Sequence, residues 1–252
     1  MKKIAIVTGA SSGMGRVFVQ KIAQTYPWLE EIWVIARRES RLKDLRNRIE
    51  GTLIRPFALD LEQEESFEIV KQALCREHPK VCILVNGSGV GYVGRFEDLR
   101  EDEISRMVSV NCNGLTRMTY IVLPFMGRGS YIYQFASSAA FAPQPGFSIY
   151  AASKAYVLSF TIALREEVKE RGIQVTAVCP GPVATEFFDT AYKNQEMKFY
   201  KKLAMASPQK VVAKALRDGK RNKAVSVYGI LMKLTRGACK ILPAGWIAKM
   251  MS

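Results

Sequence analysis

A doubly wound α/β domain, with a seven-stranded parallel sheet between two layers of helices, is what this sequence predicts. Three observations carry the prediction. Short apolar runs and helical patterns alternate along the whole of the 252 residues, seven runs in all, which is the signature of successive β-α-β units. The first run ends in a glycine-spaced turn, Gly9-Ala-Ser-Ser-Gly13-Met-Gly15, that leads directly into a helical pattern. No linker, internal repeat or low-complexity tract interrupts the chain, so a single domain spanning 1–252 is expected.

Composition narrows the class. Apolar content is 48%, ordinary for a globular chain with a sizeable core. The five cysteines are scattered and form no Cys-x-x-Cys pair, which argues against a disulfide framework and against a zinc site, so no metal is expected. The single histidine, His78, reads as a loop residue and leaves no multi-histidine cluster. Net charge is +14, and residues 191–252 hold fourteen Lys/Arg against two acids, or +12. A solvated face is the plainer account of that charge; an anionic substrate or surface is the sharper one. No signal-peptide pattern and no apolar run of membrane-spanning length is visible, so a cytoplasmic protein is expected. No recognition motif for nucleic acid accompanies the charge, and none is expected to bind.

Taken in order, residues 3–8 read as a buried strand. The turn after it places Gly9, Ser11, Ser12, Gly13, Met14 and Gly15 between strand and helix. Glycines at that spacing let the backbone approach a pyrophosphate, and the helix N-terminus offers it free N–H groups, the arrangement of a Rossmann-type dinucleotide fold. The second strand, 31–36, is followed by Arg37 and Arg38, where an NAD site places an acid. Guanidinium groups there suit a 2′-phosphate, so NADP(H) is expected in preference to NAD(H). A helix over 41–49 leads to a third strand, 52–59, ending at Asp60-Leu61. Asp60 either accepts from an adenine amine or N-caps a helix from Glu62 to Arg76, or does both. The fourth strand, 81–85, closes on Asn86-Gly87-Ser88-Gly89, small residues that leave room for a cofactor. A helix over 101–111 carries Asn111 into an apolar stretch, 115–126.

The fifth strand, 130–136, delivers Ser137 and Ser138, and thirteen residues beyond Ser137 lies Tyr150-Ala-Ala-Ser-Lys154. Tyr150 and Lys154 are four apart and share one face of a long helix expected to run to about Arg171. A phenol titrates near ~10, and a neighbouring ammonium lowers that value. With a hydroxyl from Ser137 holding a carbonyl oxygen, the trio can pass a proton to or from an alkoxide. A lone Tyr-x-x-x-Lys is more often a packed tyrosine beside a snorkelling lysine; a dinucleotide site in the same chain reverses that judgement. The helix is apolar on more than one stripe, which predicts a homodimer or homotetramer. After a sixth strand, 174–179, the turn Pro180-Gly181-Pro182-Val183-Ala184-Thr185 can meet a nicotinamide carboxamide through Val183 and Thr185. Residues 186–205, rich in Phe and Tyr, read as a lid over an apolar substrate site, or equally as surface helices. A helix over 208–218 and a seventh strand, 224–227, precede a basic amphipathic segment at about 229–252, expected to close the rim of the site, with contact to a membrane surface the alternative.

Together these residues resemble the short-chain dehydrogenase/reductase family over nearly the whole chain. The resemblance rests on Thr8-Gly9-x-x-x-Gly13-x-Gly15, Asp60, Asn86, Asn111, Ser137, Tyr150-x-x-x-Lys154 and Pro180-Gly181 in that order. It implies that Tyr150 is the acid/base, that Lys154 binds the nicotinamide ribose and lowers the tyrosine pKa, that Ser137 positions the carbonyl and that Asn111 helps hold a relay water. It further implies an NADP(H)-dependent interconversion of a carbonyl and a secondary alcohol on a small or medium, largely apolar substrate. Three features depart from the family. Its usual Asn-Asn-Ala-Gly is Asn86-Gly87-Ser88-Gly89 here, Ser138 stands beside Ser137 as a second candidate, and the basic end is not a family trait. A dinucleotide-binding sensor or scaffold without turnover is the competing class; it would call for a damaged catalytic set, and all four residues are present.

Overall fold

The computed structural model describes residues 1–192 and 205–251. Seven strands form one sheet: β1 (Lys3–Thr8), β2 (Glu31–Ala36), β3 (Leu53–Ala58), β4 (Lys80–Asn86), β5 (Tyr131–Phe135), β6 (Gln174–Val178) and β7 (Val225–Ser226). Their order is β3-β2-β1-β4-β5-β6-β7, and every pairing is parallel. The helices are α1 (Gly13–Thr25), α2 (Glu39–Arg48), α3 (Glu64–Glu77), α4 (Glu101–Val108), α5 (Leu115–Val122), α6 (Ser148–Glu167), α7 (Phe187–Tyr192), α8 (Pro208–Lys220), α9 (Ile230–Ile241) and α10 (Ala244–Met251). The predicted doubly wound architecture is the observed one.

The two faces of the sheet carry two cores, as the alternation of side chains along a strand requires. On β1, Ala5 and Val7 face Phe18 and Ile22 of α1, Leu42 of α2 and Val212 of α8. Ile4 and Ile6 face the other way, toward Phe67 and Val70 of α3, Met118 of α5 and Leu164 of α6. Each fully buried side chain of this size contributes roughly 1.5–3 kcal/mol, which is why β1, buried on both faces, reads as a continuous apolar run. Strand order reverses between β1 and β4. The crevice beyond the carboxyl ends of those strands is where such folds bind ligands.

Of the boundaries that differ from expectation, three change how a segment is read. The α3 helix begins at Glu64 instead of Glu62. Asp60 is therefore not its N-cap: its Oδ1 accepts from the Glu62 N–H at 3.2 Å and closes the turn before the helix. The α6 helix stops at Glu167, and the chain turns back through Gly172, whose φ of +69° suits glycine. The expected single C-terminal helix is two, α9 and α10, parted at Leu242-Pro243. Of the expected lid, residues 193–204 lie outside the described residues. Its near part forms α7, and its two flanks are joined, since Val183 bridges to Ala206.

Candidate active site

A cleft of about 890 Å³ lies beyond the carboxyl ends of the strands and runs from Arg37 to the C-terminal helices. It is within the usual size of small-molecule sites.

One end is built by the glycine turn. Gly9 has φ +68°, and a Cβ on Gly15 would lie 2.2 Å from the Gly9 carbonyl oxygen. Backbone on backbone cannot yield there, so no other residue fits. Ser12 is the N-cap of α1 yet makes no side-chain cap bond. The first N–H groups of the helix are thus left facing the cleft, where Ser11, Ser12, Gly13 and Met14 form its wall. Across the turn, Thr8 Oγ1 accepts from the N–H groups of Gly87 (3.0 Å) and Ser88 (3.2 Å), which pins the loop after β4. The Thr185 side chain packs on Gly13, 3.3 Å from the place of a Cβ, so the glycine turn and the turn from Pro180 to Thr185 close on each other. Gly87, Pro180, Gly181, Val183 and Thr185 all line the cleft.

Arg37 and Arg38 stand at the end of β2, as expected. Arg37 lies 3.8 Å from Asp60. Arg38 reaches back to the glycine turn, donating to Ser12 Oγ (2.8 Å) and Ser11 Oγ (3.2 Å), and also to Glu186 (2.9 Å). Leu61 and Asp60 complete this end.

At the other end, the α6 helix presents Tyr150 and Lys154, both almost fully buried. The Lys154 Nζ donates to the Phe135 carbonyl at 2.8 Å and lies 5.7 Å from the centroid of the Tyr150 ring. Ser137 extends from the end of β5, and its Oγ accepts from the Ala139 N–H at 3.1 Å, which fixes the hydroxyl at the wall. Burial pushes the Tyr150 phenol up to about 12, with a hydrogen bond to the Ser137 side chain pulling it down. Burial pushes the Lys154 ammonium down to about 8. Burial is thus the dominant influence on the phenol, and the Lys154 ammonium is engaged with a backbone carbonyl beside it. Between the two serines, Ser137 is the one whose side chain acts on the phenol, whereas the Ser138 backbone N–H is tied to the Pro180 carbonyl at 2.8 Å.

Two expected site residues do not reach the cleft. Asn86 is buried, and its Nδ2 donates to Thr119 Oγ1 and Gln134 Oε1, each at 2.9 Å. It holds β5 and α5 to β4 from behind the wall, and so supplies the support that the missing second asparagine of the family would be expected to give. Asn111 sits in a π-helical turn, Ser109–Gly114, between α4 and α5. Its amide exchanges two bonds of 2.9 Å with the Val90 backbone and donates to Ser153 Oγ at 3.0 Å. Its side chain holds the loop after β4 against α6. A π-turn at such a place is frequent in functional sites.

Phe147 escaped the sequence reading, whereas Phe187 and Glu186 belong to the expected lid without a role of their own there. Phe147 stacks on Tyr150, with ring centroids 4.2 Å apart and planes 14° from parallel. Phe187 of α7 meets the same ring at 5.5 Å. Glu186, which pairs with both Arg38 and Arg41, carried no signal beyond following Thr185.

The sequence pattern of the short chain dehydrogenases matches residues 3–196. The chain belongs to that family. This short chain dehydrogenase is 33% identical over 192 residues to sulfoacetaldehyde reductase 2 of Chromohalobacter salexigens, covering 74% of this chain and 75% of that protein. Its fold superimposes on a short-chain dehydrogenase from Sphingobium yanoikuyae in complex with NADPH with a TM-score of 0.80, at 26% identity, over 96% of this chain and 97% of that one. A short-chain dehydrogenase/reductase from Burkholderia phymatum in complex with NAD matches with a TM-score of 0.81 at 20% identity, over 94% and 92%. The chain is an oxidoreductase acting on CH–OH donors and small-molecule substrates, with a nicotinamide dinucleotide as its cofactor. The walls fit such a cofactor: an uncapped helix start for its pyrophosphate, guanidinium groups at one end, and Gly89 at the other, where a Cβ would come within 3.2 Å of the Lys154 ammonium. Among the described residues no helix is long and apolar enough to cross a membrane.

Proposed function

We propose that this dehydrogenase is an NADP(H)-dependent enzyme that interconverts a carbonyl and a secondary alcohol on a small or medium, largely apolar substrate, with Tyr150 as acid/base. The observation that carries the reading is the convergence of Tyr150, Ser137 and Lys154 on the wall of one cleft, with Phe147 and Phe187 around the phenol. Bound there, the nicotinamide supplies or accepts the hydride. Gly9, Gly13, Gly15, Ser11 and Ser12 receive the pyrophosphate, and Arg37 and Arg38 receive a 2′-phosphate. Val183 and Thr185 hold the nicotinamide end. Ser137 orients the substrate oxygen toward the phenol. Tyr150 stands protonated at neutral pH and is ready to donate to an alkoxide. Lys154 keeps a cation behind the phenol and stabilises the phenolate once the proton has left. Phe147 and Phe187 exclude water from the proton transfer and select apolar substrates. Sulfoacetaldehyde reductase 2, the relative named above, is by its name a carbonyl reductase, which supports the reaction type; its aldehyde is anionic and gives a primary alcohol, so it does not bear on the apolar, secondary-alcohol part of the reading.

The test is Tyr150→Phe, assayed with a panel of ketones and aldehydes under NADPH fluorescence. Turnover is expected to fall at least ~100-fold, with NADPH binding preserved. Retained turnover removes Tyr150 from its role. A homo-oligomer is also part of the reading, supported by Tyr120, Tyr156 and Ile162, which α5 and α6 leave exposed; a monomer in light scattering would refute it.

A further inference from the structure

We propose that α9 and α10 seat this dehydrogenase on an anionic bilayer surface, with the mouth of the cleft opening onto the lipid. The proposal begins with charge. Residues 219–252 contain seven Lys/Arg and no Asp or Glu. It continues with the facing of α9, a helix without a single buried residue. At 100° per residue, Ile230, Leu234 and Ile241 fall on one narrow stripe, and they are 77%, 66% and 83% exposed. The opposite side of the helix meets the body of the protein. Met232 lies against Gly181, where a Cβ would be 2.7 Å from its sulfur, and the Arg236 guanidinium lies 5.9 Å from the centroid of the Phe141 ring. An amphipathic helix of a soluble protein turns its apolar stripe inward; α9 turns one outward.

The α10 helix extends the same surface. Ile247 points inward, while Trp246 and Met250 are 69% and 81% exposed. Single exposed apolar residues need no explanation, but a contiguous set does. This set is also continuous with the site: Leu231, Leu242, Met250 and Met251 are exposed and line the cleft at once. The apolar surface therefore runs from the outside of the molecule into the cavity that ends at Tyr150.

The charge decides between occupants. A second copy docking by the same face would set Lys233, Lys240 and Lys249 against their own copies, with no acid on either helix to offset them, which like-charge repulsion opposes. Anionic headgroups complement it. Lys233 and Lys240 run along one side of the stripe, with stems long enough to lie along acyl chains while their ammonium groups reach the headgroups. Trp246 is suited to the same boundary. Helices of this length lie in the interface and do not span it. The consequence, which rests on the function proposed above, is that a lipophilic carbonyl or alcohol passes from the bilayer to Tyr150 without crossing water.

The test is sedimentation of the full-length protein with phosphatidylcholine vesicles containing about 30% phosphatidylglycerol and with phosphatidylcholine alone, at low and high salt. Binding is expected to be at least tenfold stronger to the anionic vesicles and to weaken as salt rises. The Leu234→Glu/Ile241→Glu and Lys233→Glu/Lys240→Glu variants are expected to lose about tenfold or more of it. Both are expected to turn over a water-soluble substrate normally, since none of the four residues lines the cleft. No binding to anionic vesicles at low salt, or binding that both variants retain, overturns the proposal. So does a native dimer that Leu234→Glu/Ile241→Glu converts to monomer without vesicle binding, which makes the face a subunit contact. Vesicle binding is read without turnover, so loss of the Tyr150 role and loss of the bilayer role are separate results.

Discussion

Arg38 and Glu186, 148 residues apart in the chain, are joined by a hydrogen bond of 2.9 Å at the end of the cleft assigned to a 2′-phosphate. Arg41 binds the other oxygen of the same carboxylate. Hydrogen bonds from Arg41 and Arg38 hold the Glu186 carboxyl below the usual carboxylate range. The guanidinium expected to receive an anion thus already carries one, supplied by the residue that begins the expected lid.

A phosphate entering this end competes with Glu186 for Arg38. Both side chains are close to half exposed, and exposed pairs are worth only about 0–1 kcal/mol. Glu186→Gln is therefore expected to strengthen NADPH binding about two- to fivefold, with NADH binding changed little, in fluorescence titrations. Arg38→Ala should shift the ratio the other way. An unchanged NADPH/NADH ratio in both variants rules out the competition and the phosphate assignment together.

Lys154 makes cofactor binding depend on pH. Burial lowers its pKa to about 8, so the ammonium that attracts an anionic dinucleotide is present below that value and disappears above it. NADPH affinity is expected to fall as pH rises through about 8. Lys154→Met should flatten the profile and weaken binding at neutral pH. A native profile that is level from pH ~7 to ~9 would show that the lysine keeps its proton throughout.

Gly15 tests the glycine turn. A Cβ there meets the Gly9 carbonyl oxygen at 2.2 Å, and relief requires movement of the turn itself. Gly15→Ala is expected to cost about 1–3 kcal/mol in denaturant unfolding and to abolish NADPH binding. Wild-type binding in a folded Gly15→Ala protein would place the pyrophosphate elsewhere.

Asp218 reports stability at the far side of the sheet. Burial pushes its carboxyl up, but hydrogen bonds from Lys214, Ser226 and Lys223 outweigh this and hold it below the usual range. A carboxyl with a lowered folded-state pKa contributes stability that is present above its unfolded value, ~3.9, and is lost as pH falls through the folded value. Asp218→Asn is expected to destabilise by about 1–3 kcal/mol at neutral pH, with native and variant converging in acid. A gap that stays constant down to pH ~3 would mean that the charge contributes nothing.

The chain order of apolar runs, the glycine turn, the paired arginines and the Tyr150–Lys154 spacing were all legible in the sequence. Each is a local pattern, and each depends on a regular period or on a turn that few residues can make. Strand positions agree to within a residue or two for the same reason, since a parallel strand buried on both faces is one uninterrupted apolar run. The helix ends and the α9–α10 break were less legible, because caps and turns are decided by a few side chains whose partners lie elsewhere.

What only the tertiary structure decided is which way side chains point and what they meet. Asn86 and Asn111 read as site residues, and only the fold shows that their side chains tie strands and loops together behind the wall. Spacing put Lys154 beside Tyr150, whereas the burial of both groups, which raises the phenol and lowers the ammonium, is set by the fold. Glu186 beside Arg38, and the outward apolar stripe of α9, join residues or surfaces that no local pattern relates. Sequence by itself determined the fold and the place of the chemistry, because periodicity and turn chemistry act over a few residues. Partner, burial and facing were left to the folded chain, because desolvation and charge act across distances that only folding creates.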